Sequence, residues 1–294
     1  MQLARVVGLA ALGLLLVRAA VADDLVARGE YLTRVGGCFS CHTDGAHGGQ
    51  PLAGGRALET PFGTFYSPNI TSDRETGIGA WTDAEFRRAL REGVRPDGAN
   101  YFPVFPYPSF TGITDDDLEA MHAYLMSRPA VRQPNKPHAV GFPFSWRFLQ
   151  RGWKLLFFRP GPFAPDPHQS AVRNRGAYLV TALTHCGECH TPRNAFGAVK
   201  RDNFLAGTPD GPDDMPVPNI TPDKTTGIGD WTREELAEML KTGTTPELGT
   251  VKGAMREAIQ DGLRDLTAED RAAIADYVFA QPPIKNAVRR STTR

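Results

Sequence analysis

Five residues, Cys38-Phe39-Ser40-Cys41-His42, constrain this chain more than any other stretch, because they return 148 residues later as Cys186-Gly187-Glu188-Cys189-His190. Two cysteines about one helical turn apart, with a histidine immediately after, are the attachment pattern of c-type haem. Chemistry explains the spacing. Each thiol adds to one vinyl group of a porphyrin. The next residue then lies beneath the iron, where its imidazole becomes the proximal ligand. Cys38, Cys41, Cys186 and Cys189 therefore read as cofactor-binding, and His42 and His190 as metal ligands, for two covalently bound haem c groups. The chain has four cysteines in all, so no thiol remains for a disulfide or a nucleophile. Two other uses of such a pair fit less well. A redox dithiol needs no following His and belongs in a thioredoxin-like βαβ context, which this chain does not show. A four-ligand zinc site would have to join pairs 148 residues apart, each already followed by its own His.

The sequence around the motifs is also written twice. Arg28-Gly29-Glu30-Tyr31-Leu32 returns as Arg175-Gly176-Ala177-Tyr178-Leu179. Asn69-Ile70-Thr71 returns as Asn219-Ile220-Thr221, and Thr76-Gly77-Ile78-Gly79 with Trp81-Thr82 as Thr226-Gly227-Ile228-Gly229 with Trp231-Thr232. Thr114 and Tyr124 match Thr267 and Tyr277. The offset drifts from 147 to 153, as small loop insertions produce. The chain thus divides into a leader (1–22), a first unit (23–133), a linker (134–170), a second unit (171–285) and a tail (286–294). Each unit is expected to carry one haem on its own core.

Both units read as helical. A first helix precedes each haem motif, with Leu25, Tyr31, Leu32 and Val35 facing the core, and Tyr178 and Leu179 as counterparts. Gly29 and Gly176 are poor helix formers whose use is close approach of another helix. A middle helix starts at the capping boxes Thr82-Asp83-Ala84-Glu85 and Thr232-Arg233-Glu234-Glu235 and stops near Gly93 and Gly243. A last helix starts at Thr114 or Thr267 and ends before Pro129 or Pro282. No segment reads as a long strand, so the fold class is all-α: two tandem class I cytochrome c-like domains joined by a Pro/aromatic-rich linker. The linker centre, Ser145 to Phe158, interleaves aromatics with Arg147, Arg151 and Lys154. It reads as a short helix packed across both units, or as a docking surface for a partner or an anionic membrane face.

The chain's address follows from its start and its charge. Arg5, an apolar run from Val6 to Val17 and the small-x-small site Ala20-Val21-Ala22 make a secretory signal, with the mature chain starting at Asp23. The run is shorter than the roughly 20 residues a spanning helix needs. Covalent haem attachment in bacteria occurs outside the cytoplasm, so the expected compartment is the periplasm, with membrane association left open. Net charge is zero, which gives no reason to expect nucleic acid as a partner.

The order of haem motif, Pro-Asn-Ile-Thr, Thr-Gly-Ile-Gly-x-Trp-Thr and Phe105-Pro106-Tyr107-Pro108-Ser109 resembles the cytochrome c subunits of periplasmic bacterial dehydrogenases. Those include subunits of alcohol and gluconate dehydrogenases and of molybdenum hydroxylases. The resemblance covers about residues 24–284 and is closest to a two-haem branch. It implies an electron-transfer protein with no substrate chemistry of its own. Electrons would come from a dehydrogenase catalytic subunit and go to a quinone, a cytochrome or an oxidase. The alternative is a haem enzyme or small-ligand binder, peroxidase-like, using an open first haem.

Axial ligands complete the reading. Met255 lies between the middle and last helices of the second unit, where a thioether sixth ligand belongs. Met239 falls within a predicted helix, and Met215 precedes the Asn-Ile-Thr segment. In the first unit the position matching Met255 is Phe105, where related subunits tend to have Met. Phenylalanine has no lone pair for iron, so haem one is expected to be five-coordinate or weakly ligated. Met121, Met126, Tyr107 and loop histidines are the remaining candidates. Trp81 and Trp231 are placed to donate to haem propionates, Asn69 and Asn219 to fix the adjoining loop. His185 reads as solvent-facing or as supporting the site, and His47, His122, His138 and His168 as surface or loop residues.

Overall fold

The computed structural model describes residues 23–212 and 215–289. The leader lies outside the described residues.

Helix α1 (23–35) leads into the short helix α2 (Cys38–His42). Then come α3 (Asp83–Glu92), α4 (Tyr107–Phe110) and α5 (Asp115–Ser127). Helix α6 (Leu149–Phe157) crosses to the second half. There α7 (Ala171–Tyr178) continues through a π-turn (Leu179–Leu183) to α8 (Gly187–His190), followed by α9 (Arg233–Thr242), α10 (Gly253–Asp261) and α11 (Ala268–Phe279). The caps explain the boundaries. Thr82 and Thr232 each accept from the amide three residues on, while Glu85 and Glu235 reach back, closing both capping boxes. Gly93 and Gly243 end α3 and α9 in the left-handed conformation, φ 63° and 76°. Thr114 and Thr267 cap α5 and α11.

The two long glycine-bearing helices cross their partners at backbone distance. A Cβ on Gly29 would collide with the Ala120 carbonyl of α5, and one on Gly176 with the Ala273 carbonyl of α11. That contact is the reason for a residue that weakens a helix interior.

The expectation of an all-α fold needs correction. A three-stranded antiparallel sheet, ordered β1-β2-β3, pairs Ala57–Thr60 with Gly63–Tyr66 and then with Ala139–Val140. Its strands are two to four residues long, too short to show an alternating pattern. The third strand comes from the stretch read as linker, and Asn135 beside it accepts from the Asn69 amide at 2.6 Å.

The halves do not keep separate cores. One buried cluster runs from Leu32, Ile113 and Tyr124 through Leu179 and Leu183 to Ile274 and Val278. At the junction each last helix offers a buried aspartate to both halves. Asp117 takes a bond from Arg28 of its own half and another from the Tyr178 hydroxyl. Asp270 takes bonds from Arg175 of its own half and from the Tyr31 hydroxyl. Small residues at Gly112, opposite Ala182, and Gly262, opposite the Arg34 carbonyl, let the backbones approach. Core sharing follows from this closeness. Among the described residues no helix is long and apolar enough to cross a membrane.

Candidate haem-binding sites

Each motif sits at a short helix: α2 carries Cys38, Cys41 and His42, and α8 carries Cys189 and His190 with Cys186 at its N-cap. Gly37, at φ 74°, turns the chain sharply from α1 into α2. His42 shares its Nδ1 with the Pro68 carbonyl at 2.7 Å, and His190 shares its Nδ1 with the Pro218 carbonyl at 2.9 Å. A carbonyl only accepts, so the proton is on Nδ1 and the Nε2 lone pair is free for a metal. Burial lowers the pKa of both imidazoles, against the pull of those carbonyls. Both are therefore neutral, as ligation requires.

Asn69 and Asn219 fix these two carbonyls. Asn69 donates to the Thr76 hydroxyl at 3.1 Å and to the Val131 carbonyl at 2.7 Å, and accepts from Thr71. Asn219 does the same to Thr226 at 3.1 Å and the Ile284 carbonyl at 2.7 Å, and accepts from Thr221. The repeated Pro-Asn-Ile-Thr segment is thus the support that orients the imidazole of each motif.

A cavity of about 610 Å³ opens against Cys38, Cys41 and His42. Phe65, Ile78, Leu90, Phe102 and Met121 line it with apolar surface, and Arg95, Lys136 and Arg147 reach it with charge. The residues fit a haem. Two thiols and a free Nε2 stand on one wall, apolar side chains suit the macrocycle, and three cations with Trp81 suit its propionates. The thiols do not suit a redox dithiol, which needs a depressed pKa. Burial, then the Cys41 charge, pushes Cys38 up to about 12. Burial, then Glu188, pushes Cys189 up to about 11. Among the described residues no group of three or more acidic, Cys or His side chains converges as a metal cluster would.

The other predicted residues divide. Phe105 lines the cavity, edge-on to Tyr101 and Phe110 at 5.1 and 5.8 Å between centroids. Tyr107 is fully buried and does not line it. Met255 lies in the first turn of α10, half-buried against the core. Met239 is buried inside α9, and Met215 is exposed. Trp81 lines the cavity, but Trp231 donates its indole N–H to Glu247 at 3.2 Å. His122, read as a surface or loop residue, is instead buried within α5, stacked on Phe86 and bonded to Asp83, because the core face of the helix carries it inward. His138 lines the cavity and accepts from the Tyr66 amide, because β3 carries it back onto the first half. His185 lines the same cavity, the second of its two readings, because the two halves meet at its turn. Arg95, Arg147 and Tyr101 line the site without any sequence signal that marks them for it. They have no counterpart in the repeat to mark them.

A neutral, pre-oriented imidazole beside a pair of thiols on a cavity of this shape defines a haem-attachment protein. The family model for cytochrome c matches residues 26–129. A protein of Cereibacter sphaeroides named diheme cytochrome c-type is 40% identical over 88% of this chain and 86% of its own length. The chain belongs to the c-type cytochrome family, whose haem is covalently bound. A subunit of nicotinate dehydrogenase from Pseudomonas putida is 44% identical over 86% of this chain, and the fructose dehydrogenase cytochrome subunit of Gluconobacter japonicus 40% identical over 87%. The chain spans only 21% and 52% of the length of those two.

Proposed function

We propose that this chain is a two-haem electron carrier built of two tandem cytochrome c domains. It takes electrons from the catalytic subunit of a dehydrogenase and passes them to a quinone, a cytochrome or an oxidase, working in the periplasm. The observation that carries this reading is the paired geometry: each Cys-x-x-Cys-His helix has its imidazole held through Nδ1 by a proline carbonyl. The relatives named as dehydrogenase subunits support the choice of donor. Haem iron supplies a reversible one-electron change. The chain's own residues attach it through Cys38, Cys41, Cys186 and Cys189, ligate it through His42 and His190, and exclude water around it.

Met255 is the sixth ligand proposed for haem two. Phe105 closes the open side of haem one, whose potential then lies below that of haem two. Arg95, Lys136 and Arg147 hold the propionates of haem one. A peripheral contact with an anionic membrane fits the face of α6 and the segment before it. Leu155 is 86% exposed, Leu156 74% and Phe142 73%. From Pro134 to Pro165 the chain has five cations and no Asp or Glu.

A spectroelectrochemical titration tests the carrier reading. It should take up two electrons per chain reversibly, without turnover of added peroxide. Sustained peroxide turnover would instead establish the peroxidase-like alternative.

A further inference from the structure

The repeat breaks at one position that the fold puts between the two halves. The residue before Cys38 is Gly37, and the matching residue before Cys186 is His185. Both hold the left-handed backbone, with φ of 74° and 41°. Glycine adopts it freely, whereas for a side-chain-bearing residue it costs about 1–2 kcal/mol. The two residues face each other. His185 Nε2 lies 3.7 Å from the point a Gly37 Cβ would occupy. A Cβ at position 37 would stand in ordinary van der Waals contact with that ring, so the two attachment segments meet there. That ring meets Phe110 edge-on, 5.2 Å between centroids, and forms part of the wall of the first cavity. Gly36 is equally close to the second half, with a Cβ there standing 3.3 Å from Leu183 Cδ1.

Cys38 follows Gly37 along the chain, and Cys186 follows His185. One step through space, from the Gly37 backbone to the His185 imidazole, thus joins two covalent runs that each end at an attachment sulfur. We propose that His185 is a positioning residue for electron exchange between the two haems, filling the space between the segment that would hold the first and the attachment segment of the second. The inference rests on the two-haem reading. One electron leaves ferrous iron and reduces ferric iron; no bond changes and no proton moves. Tunnelling decays more steeply across a void than across packed atoms, and glycine at this position would leave a void. The strained histidine stands where the other half of the repeat uses glycine, and it fills that gap.

His185→Gly tests the idea, because glycine already serves at position 37 and relieves the backbone strain. One electron is delivered to the oxidised, haem-loaded protein by pulse radiolysis, and equilibration between the haems is followed by absorbance. The variant should equilibrate severalfold more slowly while still carrying two haems per chain, a loss of rate beyond what any change in the two midpoint potentials, measured alongside, accounts for. His185→Asn also tolerates the left-handed backbone but is too short to reach Gly37, and it should slow the exchange as well. A purely structural role would move the melting temperature and leave the rate alone. Unchanged rates in both variants, each carrying two haems by pyridine haemochrome, would overturn the proposal. One haem per wild-type chain, read before any rate, would overturn the two-haem reading and this inference together.

Discussion

Replacing Tyr31 by Phe removes a single hydroxyl from the junction of the two halves. That hydroxyl donates to Asp270 at 2.6 Å, and the same carboxylate takes bonds from Arg175 at 2.8 and 2.6 Å. A hydrogen bond to a charged group contributes about 1.5–3 kcal/mol. Arg175 still covers the carboxylate in the variant, so no buried charge is orphaned. The lower part of the range applies, a loss of about 1.5–2 kcal/mol. The ring remains, so apolar burial is unchanged. Acid gives a second handle. Burial raises the Asp270 pKa, but the hydrogen bonds from Arg175 and Tyr31 and the Arg175 charge together outweigh it, and the net direction is down. An acid whose folded pKa lies below its unfolded value adds stability that is present above the unfolded value, about 4, and is lost as pH falls through the folded one. The deficit of Tyr31→Phe should therefore hold from neutral pH to about pH 4 and shrink below it. Tyr31 itself stays protonated across this window, since burial and then Asp270 push its pKa upward. Guanidinium unfolding of the haem-loaded protein at pH 7 and pH 3 makes the comparison. Wild-type stability at pH 7, or an equal deficit at both values, would refute the reasoning.

Met255→Ala should turn haem two high-spin or exchange its ligand and lower its potential, because the thioether favours ferrous iron; survival of the sulfur-to-iron charge-transfer band would exclude Met255. Carbon monoxide added to the reduced protein should bind about one haem per chain, since Phe105 gives haem one no ligand; a titration with no binding and two low-spin haems would show another residue on that iron. Gly176→Ala should destabilise by about 3 kcal/mol or abolish folding, because its Cβ meets the Ala273 carbonyl and not a movable side chain. A melt within half that loss would mean α7 and α11 part more easily than their packing implies.

What was legible in the sequence was local. The capping boxes at Thr82 and Thr232, the left-handed ends at Gly93 and Gly243 and the approach glycines Gly29 and Gly176 all depend on residues three or four apart, or on one missing side chain. Duplication made each signal readable twice. The long-range features left no such trace. Strand β3 is two residues long and pairs with a hairpin more than 70 residues earlier, so no periodicity announces it. His138 and Arg147 reach the first cavity from a stretch that reads as a linker, because that stretch folds back over the first half. His185 does not face solvent because its environment is supplied by the other half, around Gly36 and Gly37. At that position the break in the repeat is itself a signal, and only the packing shows what it means.

The haem content of the intact chain tests the central claim most directly. Purified protein is assayed by pyridine haemochrome against its measured mass, after denaturation and washing to remove any haem not covalently held. Two covalent haems per chain are predicted, from two complete attachment helices and four cysteines with no other role. One haem per chain, or haem that washes away, would contradict the account.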